Sequence, residues 1–471
     1  MSVLQIWIFV SLLVFLLAKG FVKPQRFLEY PYFMAATFTV FILPQVISLS
    51  RHPGAAPLES LTPVMIMTNL CLAACAIGYR IPSNQWITRQ GSTPVNLDRL
   101  FHVGAIFVLV SIFFRFLISQ MSVEEMGGST WTGRVTIYHF FSQLVYPGFA
   151  ISLFTALTRR NSLAWIVSFL AALNPIIAIV FSGRRETTAL FVLTIGLTLF
   201  YHRRFVPQRL LIAGGIVFAM LAIPATAKYR SAVSLEGVRS AGRIDLIGNF
   251  NRFLTEESVL ELRNAAVLIY ITAQSSDYEF GAAYWDQLIF RFVPAQLVGA
   301  GVKESLMFDK MSGDAGGDED DETEIGIRTF KRMKGSTVTG MGDSFKQFGY
   351  FGCLFFALLA VIFRSLWETS LQPNTFLAKL LYIQLSTSAM RAVTHQTVDF
   401  LPGMAYNVIF LGLAVFYARV PRKQRTKSGD SSIESISALE NPPVAKSLPT
   451  AAARPAAFLA PAKKRDLSEL E

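Results

Sequence analysis

Apolar stretches long enough to cross a membrane recur along almost the whole chain and are interrupted once, by a polar stretch from Lys228 to Phe345. A helix needs roughly 20 apolar residues to cross the hydrocarbon core, and only a helix or a closed barrel satisfies its backbone polar groups in lipid. Hydrophobic residues make up 52% of the chain and charged residues only 16%. The pattern therefore predicts an all-α, polytopic bundle of transmembrane helices with one large hydrated loop.

The predicted spans number about eleven, with the loop between spans 8 and 9. They are Val3–Leu17, Tyr30–Leu49, Leu61–Tyr79, Phe101–Ser119, Val135–Thr158, Ser162–Phe181, Thr187–Tyr201, Leu210–Ala227, Ser344–Phe363, Phe376–Met390 and Phe400–Ala418. The first segment lacks the charged start and the small-residue cleavage site of a signal peptide, so we interpret it as an uncleaved span.

The distribution of basic residues over the short loops predicts the orientation, because Lys and Arg near span ends are retained in the cytoplasm. Most of them belong to one set of ends: Lys19, Lys23, Arg26, Arg80, Arg89, Arg99, Arg159, Arg160, Arg203, Arg204, Arg209, Arg364 and Arg419. The other set carries only Arg51, Arg134, Arg184, Arg185 and Arg391. This asymmetry predicts an extracytoplasmic N-terminus, a cytoplasmic C-terminus and an extracytoplasmic loop.

The chain accordingly divides into four predicted parts: helices 1–8 in residues 1–227, the loop with amphipathic helices in 228–345, helices 9–11 in 346–420, and a tail in 421–471. The tail is rich in Pro, Ala, Ser and Lys without an apolar period, which is typical of a disordered cytoplasmic segment. The net charge of +11 comes largely from the tail and the cytoplasmic span ends. It does not indicate a nucleic-acid partner.

The sequence lacks several motifs that would indicate nucleotide or hydrolase chemistry: there is no P-loop, dinucleotide fingerprint, HExxH or GxSxG. Cys71, Cys75 and Cys353 lie in apolar segments and are typical of buried thiols. The acidic run Ser312–Glu324 lacks the alternating ligand spacing of a calcium loop and is typical of a solvated segment. The sequence therefore implies neither a metal nor a cofactor.

Two arginines and a carboxylate, Arg184, Arg185 and Glu186, lie in a short turn on the side that otherwise carries few basic residues. Charges beside the hydrocarbon region are costly and usually mark a function. Arginine is suited to binding phosphate oxygens through two parallel hydrogen bonds. The alternative is that both arginines only extend to lipid headgroups.

The segment Tyr278–Pro294 predicts an amphipathic helix that begins at Ala282 and ends before the proline. Its apolar stripe includes Trp285 and leaves Arg291 on the polar side. Such a helix lies on the membrane surface or packs on the bundle.

The segment Ser336–Gly352 returns the chain to the membrane. Gly340 predicts a tight turn, Asp343 a helix N-cap, and Gly349 a close approach between helices. A carboxylate at this position is also a candidate catalytic base, so both roles of Asp343 stay open.

Arg391, His395 and Asp399 are spaced four residues apart at another predicted outer end. On a continuous helix they would share a face, and a His oriented by an Asp is a recognised acid/base pair. The alternative is an interfacial His whose hydrogen bonds are satisfied locally.

At these residues the chain resembles the bacterial oligosaccharide repeat-unit polymerases, the Wzy-type O-antigen and exopolysaccharide polymerases. The resemblance depends on the arginine-bearing turn Ser182–Glu186, the segment Tyr278–Pro294, and the Gly-Asp turn followed by Phe-Gly-x-x-Gly in Gly342–Gly352. Elsewhere the similarity is one of topology. A departure occurs after Pro294, where Ala295 stands in place of the expected basic residue.

The resemblance implies a metal-independent glycosyltransferase in the bacterial inner membrane that joins undecaprenyl-diphosphate-linked oligosaccharides at the periplasmic face. It implies that Arg184, Arg185 and Arg291 bind the diphosphate. It implies that Asp343, Glu186 or His395 accepts the proton of the acceptor hydroxyl. Membrane lipids, a flippase and a chain-length regulator are the further partners that it implies.

Two other functions fit the same sequence. An O-antigen ligase has a similar architecture and the same donor, with a different acceptor. A polysaccharide transporter or flippase would need no catalytic residues.

Overall fold

The computed structural model describes residues 3–54, 56–121, 134–159, 161–237, 244–256, 260–308, 322–323, 330–331 and 337–420. The predicted tail, 421–471, and most of the acidic run 312–324 lie outside these residues. The described part is all-α apart from two antiparallel strands of two residues each, β1 (Glu322–Thr323) and β2 (Phe330–Lys331). The predicted fold class is confirmed at this level.

Nineteen α-helices and three short 3-10 helices build the described part, counting the helix Tyr30–Arg51 with its central π turn as one. The 3-10 helices are Pro24–Leu28, Leu58–Ser60 and Gly349–Gly352. The first ten are α1 Val3–Val22, α2 Tyr30–Arg51, α3 Leu61–Gly78, α4 Gln85–Gly91, α5 Leu97–Ser119, α6 Arg134–Ser142, α7 Val145–Arg159, α8 Ser162–Ser182, α9 Arg185–Arg203 and α10 Arg209–Glu236. The others are α11 Leu246–Thr255, α12 Glu261–Ser275, α13 Ala282–Phe292, α14 Ala295–Val298, α15 Ala300–Ser305, α16 Thr339–Phe348, α17 Cys353–Ser370, α18 Phe376–Thr394 and α19 Phe400–Ala418.

Among the described residues, nine helical segments are long and apolar enough to cross a membrane. They comprise α1, α2, α3, α5, α6 with α7, α8, the first part of α10, α16 with α17, and α19. The chain is therefore a multi-pass membrane protein. The two other predicted spans correspond to α9 and α18, which have 19 residues each but are more polar. Their length still corresponds to roughly 28 Å of helix.

The centre of the bundle is formed by α2, α3, α17 and α18. The rings of Tyr30 and Phe363 stack with centroids 4.8 Å apart, and Tyr382 packs edge-on against Phe363 at 5.2 Å. All three side chains are fully buried. Because α18 lies at this centre, it can carry polar residues without exposing them to lipid.

The polar interruption contains a buried helix that the sequence analysis did not predict. α12 has 15 residues, too few to cross the membrane, yet Leu262, Ala265, Ala266 and Ile269 belong to the main core. It packs against α16 and α3. The polar interruption therefore contributes a buried helix to the bundle in addition to hydrated surface.

The helix α13 is confirmed at its predicted bounds, but Trp285 of its predicted apolar stripe does not pack against the bundle. Ala283, Tyr284 and Asp286 are buried, whereas Trp285 is 47% exposed. Asp286 can be buried because its carboxylate accepts a hydrogen bond of 2.7 Å from the backbone N–H of Phe308.

In the segment that returns to the membrane, the predicted roles of two glycines are exchanged. Gly340 lies within α16, and a Cβ there would stand 1.7 Å from the carbonyl oxygen of Ala392, so Gly340 permits close packing against α18. Gly349 has φ +59° and makes the turn that ends α16.

The helix ends that carry most basic residues meet on one side of the bundle. Arg209 of α10 donates to the carbonyl oxygen of Val22 at 3.1 Å, and the N–H of Asn96 donates to the carbonyl of Ala418 at 2.8 Å. We call this side the basic end. The helix ends near Ser119, Ser182 and Thr394 lie on the other side and surround a cavity, so we call that side the cavity end.

Candidate functional site

A cavity of about 540 Å³ lies at the cavity end. Its walls come from the C-terminal parts of α5, α8 and α18, from the junction of α6 and α7, from the N-terminal parts of α9 and α19, and from α13. The predicted sites at the Arg184 turn, on α13 and at Arg391 are thereby brought to a single place. Sequence separation had left them as independent candidates.

Cationic side chains dominate the charged lining of this cavity. Four arginines line it, Arg115, Arg184, Arg291 and Arg391, against one carboxylate, Glu186. His139 is a further titratable group in the wall. Such a cavity suits an anion with several oxygen acceptors, because guanidinium groups bind phosphate or carboxylate oxygens in pairs.

Arg391 is the centre of an ion-pair network at the cavity. Its Nη1 lies 3.3 Å from Oε1 of Glu186, and its Nη2 lies 2.9 Å from Oδ2 of Asp399. Gln287 of α13 donates to the other oxygen of Asp399 at 3.0 Å. The network joins α9, α13, α18 and the start of α19, so it fixes the relative positions of four cavity walls.

Arg291 reaches the cavity from α13, as its predicted polar position requires. Its Nη2 donates to Oε1 of Gln143 at 2.5 Å. Burial lowers the pKa of the Arg291 guanidinium, and the positive charge of Arg391 lowers it further. The carboxylates of Asp399 and Glu186 oppose this lowering.

Arg115 is a cavity residue that the sequence analysis missed. It lies inside the apolar span α5, and its Nη1 donates to Oδ1 of Asn174 on α8 at 2.5 Å. Its Nε is buried and has no hydrogen-bond partner in the described part of the chain. A charged residue within an apolar span is the signal that could have identified it, because such residues usually serve a function.

The two adjacent arginines of the predicted turn have different surroundings. Arg184 precedes the first residue of α9, and its side chain is exposed in the cavity wall. Arg185 does not line the cavity; its Nη2 lies 3.6 Å from Oε1 of Glu261 on α12. Burial raises the pKa of Glu261, while Arg185 opposes this rise. Arg185 therefore compensates a carboxylate in the bundle, and the structure does not place it with Arg184 and Arg291.

The prediction that Asp343 is a helix N-cap is wrong, because α16 begins four residues earlier, at Thr339. The buried carboxylate accepts hydrogen bonds from the N–H of Thr397 at 2.7 Å, from the N–H of Val398 at 3.1 Å, and from the Thr397 hydroxyl. It therefore holds the turn that precedes α19. Asp343 does not line the cavity.

Tyr284 extends this interaction to α13. Its hydroxyl lies 2.7 Å from Oγ1 of Thr397, whose own proton is directed to Asp343. Because Thr397 and Asp399 belong to the same turn, Asp343 and Tyr284 together fix the residue that holds Arg391. The geometry gives Asp343 a positioning role.

His395 is not oriented by Asp399. The helix α18 ends at Thr394, so the three residues do not share a helix face, and Asp399 pairs with Arg391. Nδ1 of His395 lies 2.9 Å from Oγ1 of Thr394. Burial lowers the pKa of His395, and the charge of Arg391 lowers it further.

Neutral hydrogen-bonding groups complete the cavity wall. They include Gln143, Asn174, Gln384, Thr387, Ser388 and Asn407. The hydroxyl of Thr387 is buried and makes no hydrogen bond within the described residues. Amide and hydroxyl side chains of this kind can donate to and accept from the hydroxyl groups of a sugar.

Among the described residues, no group of three His, Cys, Asp or Glu side chains is arranged to hold a metal ion. The charged lining consists of arginines and one carboxylate. These groups can bind an anion and accept a proton.

Comparisons with protein-family models, with curated proteins and with solved structures found no match to this chain.

Proposed function

We propose that this protein is a glycosyltransferase that polymerises undecaprenyl-diphosphate-linked oligosaccharide repeat units. The observation that carries the proposal is the cavity in which four arginines, one carboxylate and several amide and hydroxyl groups converge. A reaction with a lipid diphosphate leaving group needs cations to stabilise developing charge and a base for the acceptor hydroxyl. The cavity offers both.

In this proposal the chain crosses the inner membrane about eleven times, with α9 and α18 counted as spans. The cavity end faces the periplasm, and the basic end faces the cytoplasm. Support for this orientation comes from the basic residues, which collect at one set of helix ends, as the positive-inside rule requires.

The proposed reaction is a direct displacement at the anomeric carbon of the donor sugar. The acceptor hydroxyl oxygen forms a bond to that carbon while the bond from the carbon to the diphosphate oxygen breaks. The hydroxyl proton passes to a carboxylate, and the lipid diphosphate leaves with the bonding electron pair. Arginines of the cavity bind the leaving diphosphate.

Glu186 is the base favoured by the geometry. Three residues were candidates from the sequence, and of these Glu186 lines the cavity while Asp343 and His395 do not. Its Oε1 lies 3.3 Å from Nη1 of Arg391, which also lines the cavity.

The test of the function is deletion of the gene, followed by analysis of the lipid-linked and surface glycan. A polymerase deletion leaves glycan that stops at one repeat unit, and the intact gene restores long chains. Long polymer that accumulates without attachment would instead favour a ligase, and normal glycan would contradict both enzymes.

The orientation is tested by single-cysteine labelling in whole cells, in a background without Cys71, Cys75 and Cys353. Ser305→Cys in α15 and Gln208→Cys at the basic end are both exposed positions. An impermeant reagent should label the first and not the second. The reverse result would contradict the proposed site of reaction.

A further inference from the structure

The four cavity arginines fall into two groups that differ in their partners. Arg115 and Arg184 have no ion pair with a carboxylate among the described residues, and Arg115 is bonded to the neutral amide of Asn174. Arg391, in contrast, contacts both Glu186 and Asp399. The cavity is therefore not uniform in charge.

The first group forms a cationic half of the cavity. Arg184 lies close enough for its charge to act on Arg115, and both arginines act on His139. The Nε of Arg115 is buried without a hydrogen-bond partner in the described part of the chain. Two guanidinium groups that have no carboxylate partner among the described residues, beside an imidazole, form a site that gains most from an anion.

The second group forms a half in which the charges are balanced. Arg391 and Arg291 lie with the carboxylates of Glu186 and Asp399, and each of these charges acts on Arg291. A second anion placed here would meet two carboxylates and would have to break the ion pairs of Arg391. A neutral ligand with hydroxyl groups meets no such penalty.

We infer that Arg115, Arg184 and His139 form the subsite for the diphosphate, whereas the half with Arg291, Arg391 and Glu186 binds the uncharged sugar of the acceptor. This division depends on the proposed function for the identity of the two ligands. It assigns Arg115 and His139, which lie in helical segments long and apolar enough to cross a membrane, to diphosphate binding. It also places the acceptor hydroxyl beside the carboxylate that takes its proton.

The test is the binding of inorganic pyrophosphate to the purified full-length chain in detergent, measured by titration calorimetry. Arg115→Gln and Arg184→Gln should each weaken binding at least about tenfold, the loss expected for one charged hydrogen-bonded contact. Arg391→Gln should change it less than about threefold, because this arginine is already neutralised by carboxylates.

Arg184→Gln decides the matter if the buried Arg115 variant does not fold, since the Arg184 side chain is exposed in the cavity. Arg209→Gln at the basic end is the matched charge control and should leave pyrophosphate binding unchanged, because Arg209 does not line the cavity. Equal losses for Arg184→Gln and Arg391→Gln, or no pyrophosphate binding by the intact chain, would overturn the division.

This outcome is separable from that of the proposed function, because pyrophosphate binding requires neither donor nor acceptor glycan. If deletion of the gene leaves glycan length normal while the binding pattern holds, the polymerase proposal fails and the anion subsite stands. If deletion stops chains at one unit while Arg391→Gln weakens pyrophosphate as much as Arg184→Gln, the polymerase proposal stands and the division fails.

Discussion

Arginines are found at both ends of the helical bundle, but their partners differ. At the basic end, Arg204 and Arg209 are exposed and donate to the backbone carbonyls of Leu371 and Val22, at 3.3 and 3.1 Å. At the cavity end, the arginines are held by side-chain oxygens of Asn174, Gln143, Glu186 and Asp399. The carbonyl contacts at the basic end satisfy the last turns of helices, which attract cations.

The difference shows that charge alone does not identify a site. A basic residue at an exposed helix end serves topology and capping, and its exact neighbour matters little. An arginine whose guanidinium is oriented by other side chains toward a shared cavity depends, in contrast, on those neighbours. The second arrangement depends on side chains from several helices, and for this reason we propose that the functional site lies at the cavity end.

The largest expected effect is a loss of polymerisation when Arg184 at the cavity end is replaced. If the proposed function is right, Arg184→Ala should reduce polymerisation about a hundredfold, on the order of 3 kcal/mol of transition-state stabilisation, because the proposed contact to the leaving diphosphate is lost. Arg184→Lys should also lose most activity, since a lysine does not reproduce the paired contact. Chain length in a complemented deletion strain measures this.

Arg209→Ala at the basic end is the matched control for the Arg184 variants and should keep normal chain length. Both proteins must accumulate in the membrane at the level of the unsubstituted chain. Normal polymer with Arg184→Ala would remove the functional distinction between the ends.

The second prediction compares a buried with an exposed carboxylate. Asp343→Ala removes the acceptor of two backbone N–H groups and one hydroxyl, and should lower the free energy of unfolding by on the order of 3 kcal/mol. Asp343→Asn keeps an acceptor oxygen and should retain most of both stability and polymerisation. Thermal unfolding in detergent and chain length provide the two measurements.

The control for Asp343 is Asp98→Ala at the basic end. Asp98 pairs with Arg159 at 3.7 Å, and the two side chains are 64% and 52% exposed, so its loss should change stability by less than about 1 kcal/mol. If Asp343→Asn is stable but fails to polymerise, Asp343 acts as a base and the positioning role is wrong.

The sequence was sufficient for features that depend on local patterns. Apolar length predicted the spanning helices, and charges that broke the loop asymmetry indicated Arg184, Glu186 and Arg391. The amphipathic segment before Pro294 predicted α13 and the polar position of Arg291. These features need no knowledge of which helices are neighbours.

Features that depend on contacts between distant segments were not predictable in the same way. Asp343 binds a turn 54 residues later, and nothing near it in the sequence indicates that partner. Arg115 was hidden because a single charge does not alter the apolar character of a long span. α12 was missed because a helix too short to cross the membrane can still be buried by its neighbours.

A third prediction tests whether close packing maintains the cavity end. Gly340→Ala would place a methyl group against the backbone carbonyl of Ala392, which cannot move without shifting α18. We expect a loss of about 1 to 3 kcal/mol in the free energy of unfolding, measured by thermal unfolding in detergent.

Gly214→Ala in α10 is the control for this substitution, because a Cβ there has no neighbour within 4 Å. It should be neutral or stabilising by up to about 1 kcal/mol through its helix propensity. Similar stability for the two variants would show that the contact between α16 and α18 is looser than described.

The smallest expected effect is a pH dependence of the stability, caused by His395 at the cavity end. Burial and the charge of Arg391 lower the pKa of His395, with Arg185 acting in the same direction and Glu186 and Asp399 opposing it. Because the folded protein then binds fewer protons than the unfolded chain, stability should fall as the pH drops through about 6.5 toward the lowered pKa. His395→Gln should make the melting temperature in detergent less dependent on pH between about 7 and 5. An unchanged pH dependence in this variant would mean that His395 is protonated as readily in the folded protein as in the unfolded chain. It would also mean that the two carboxylates paired with Arg391 screen the imidazole from its positive charge.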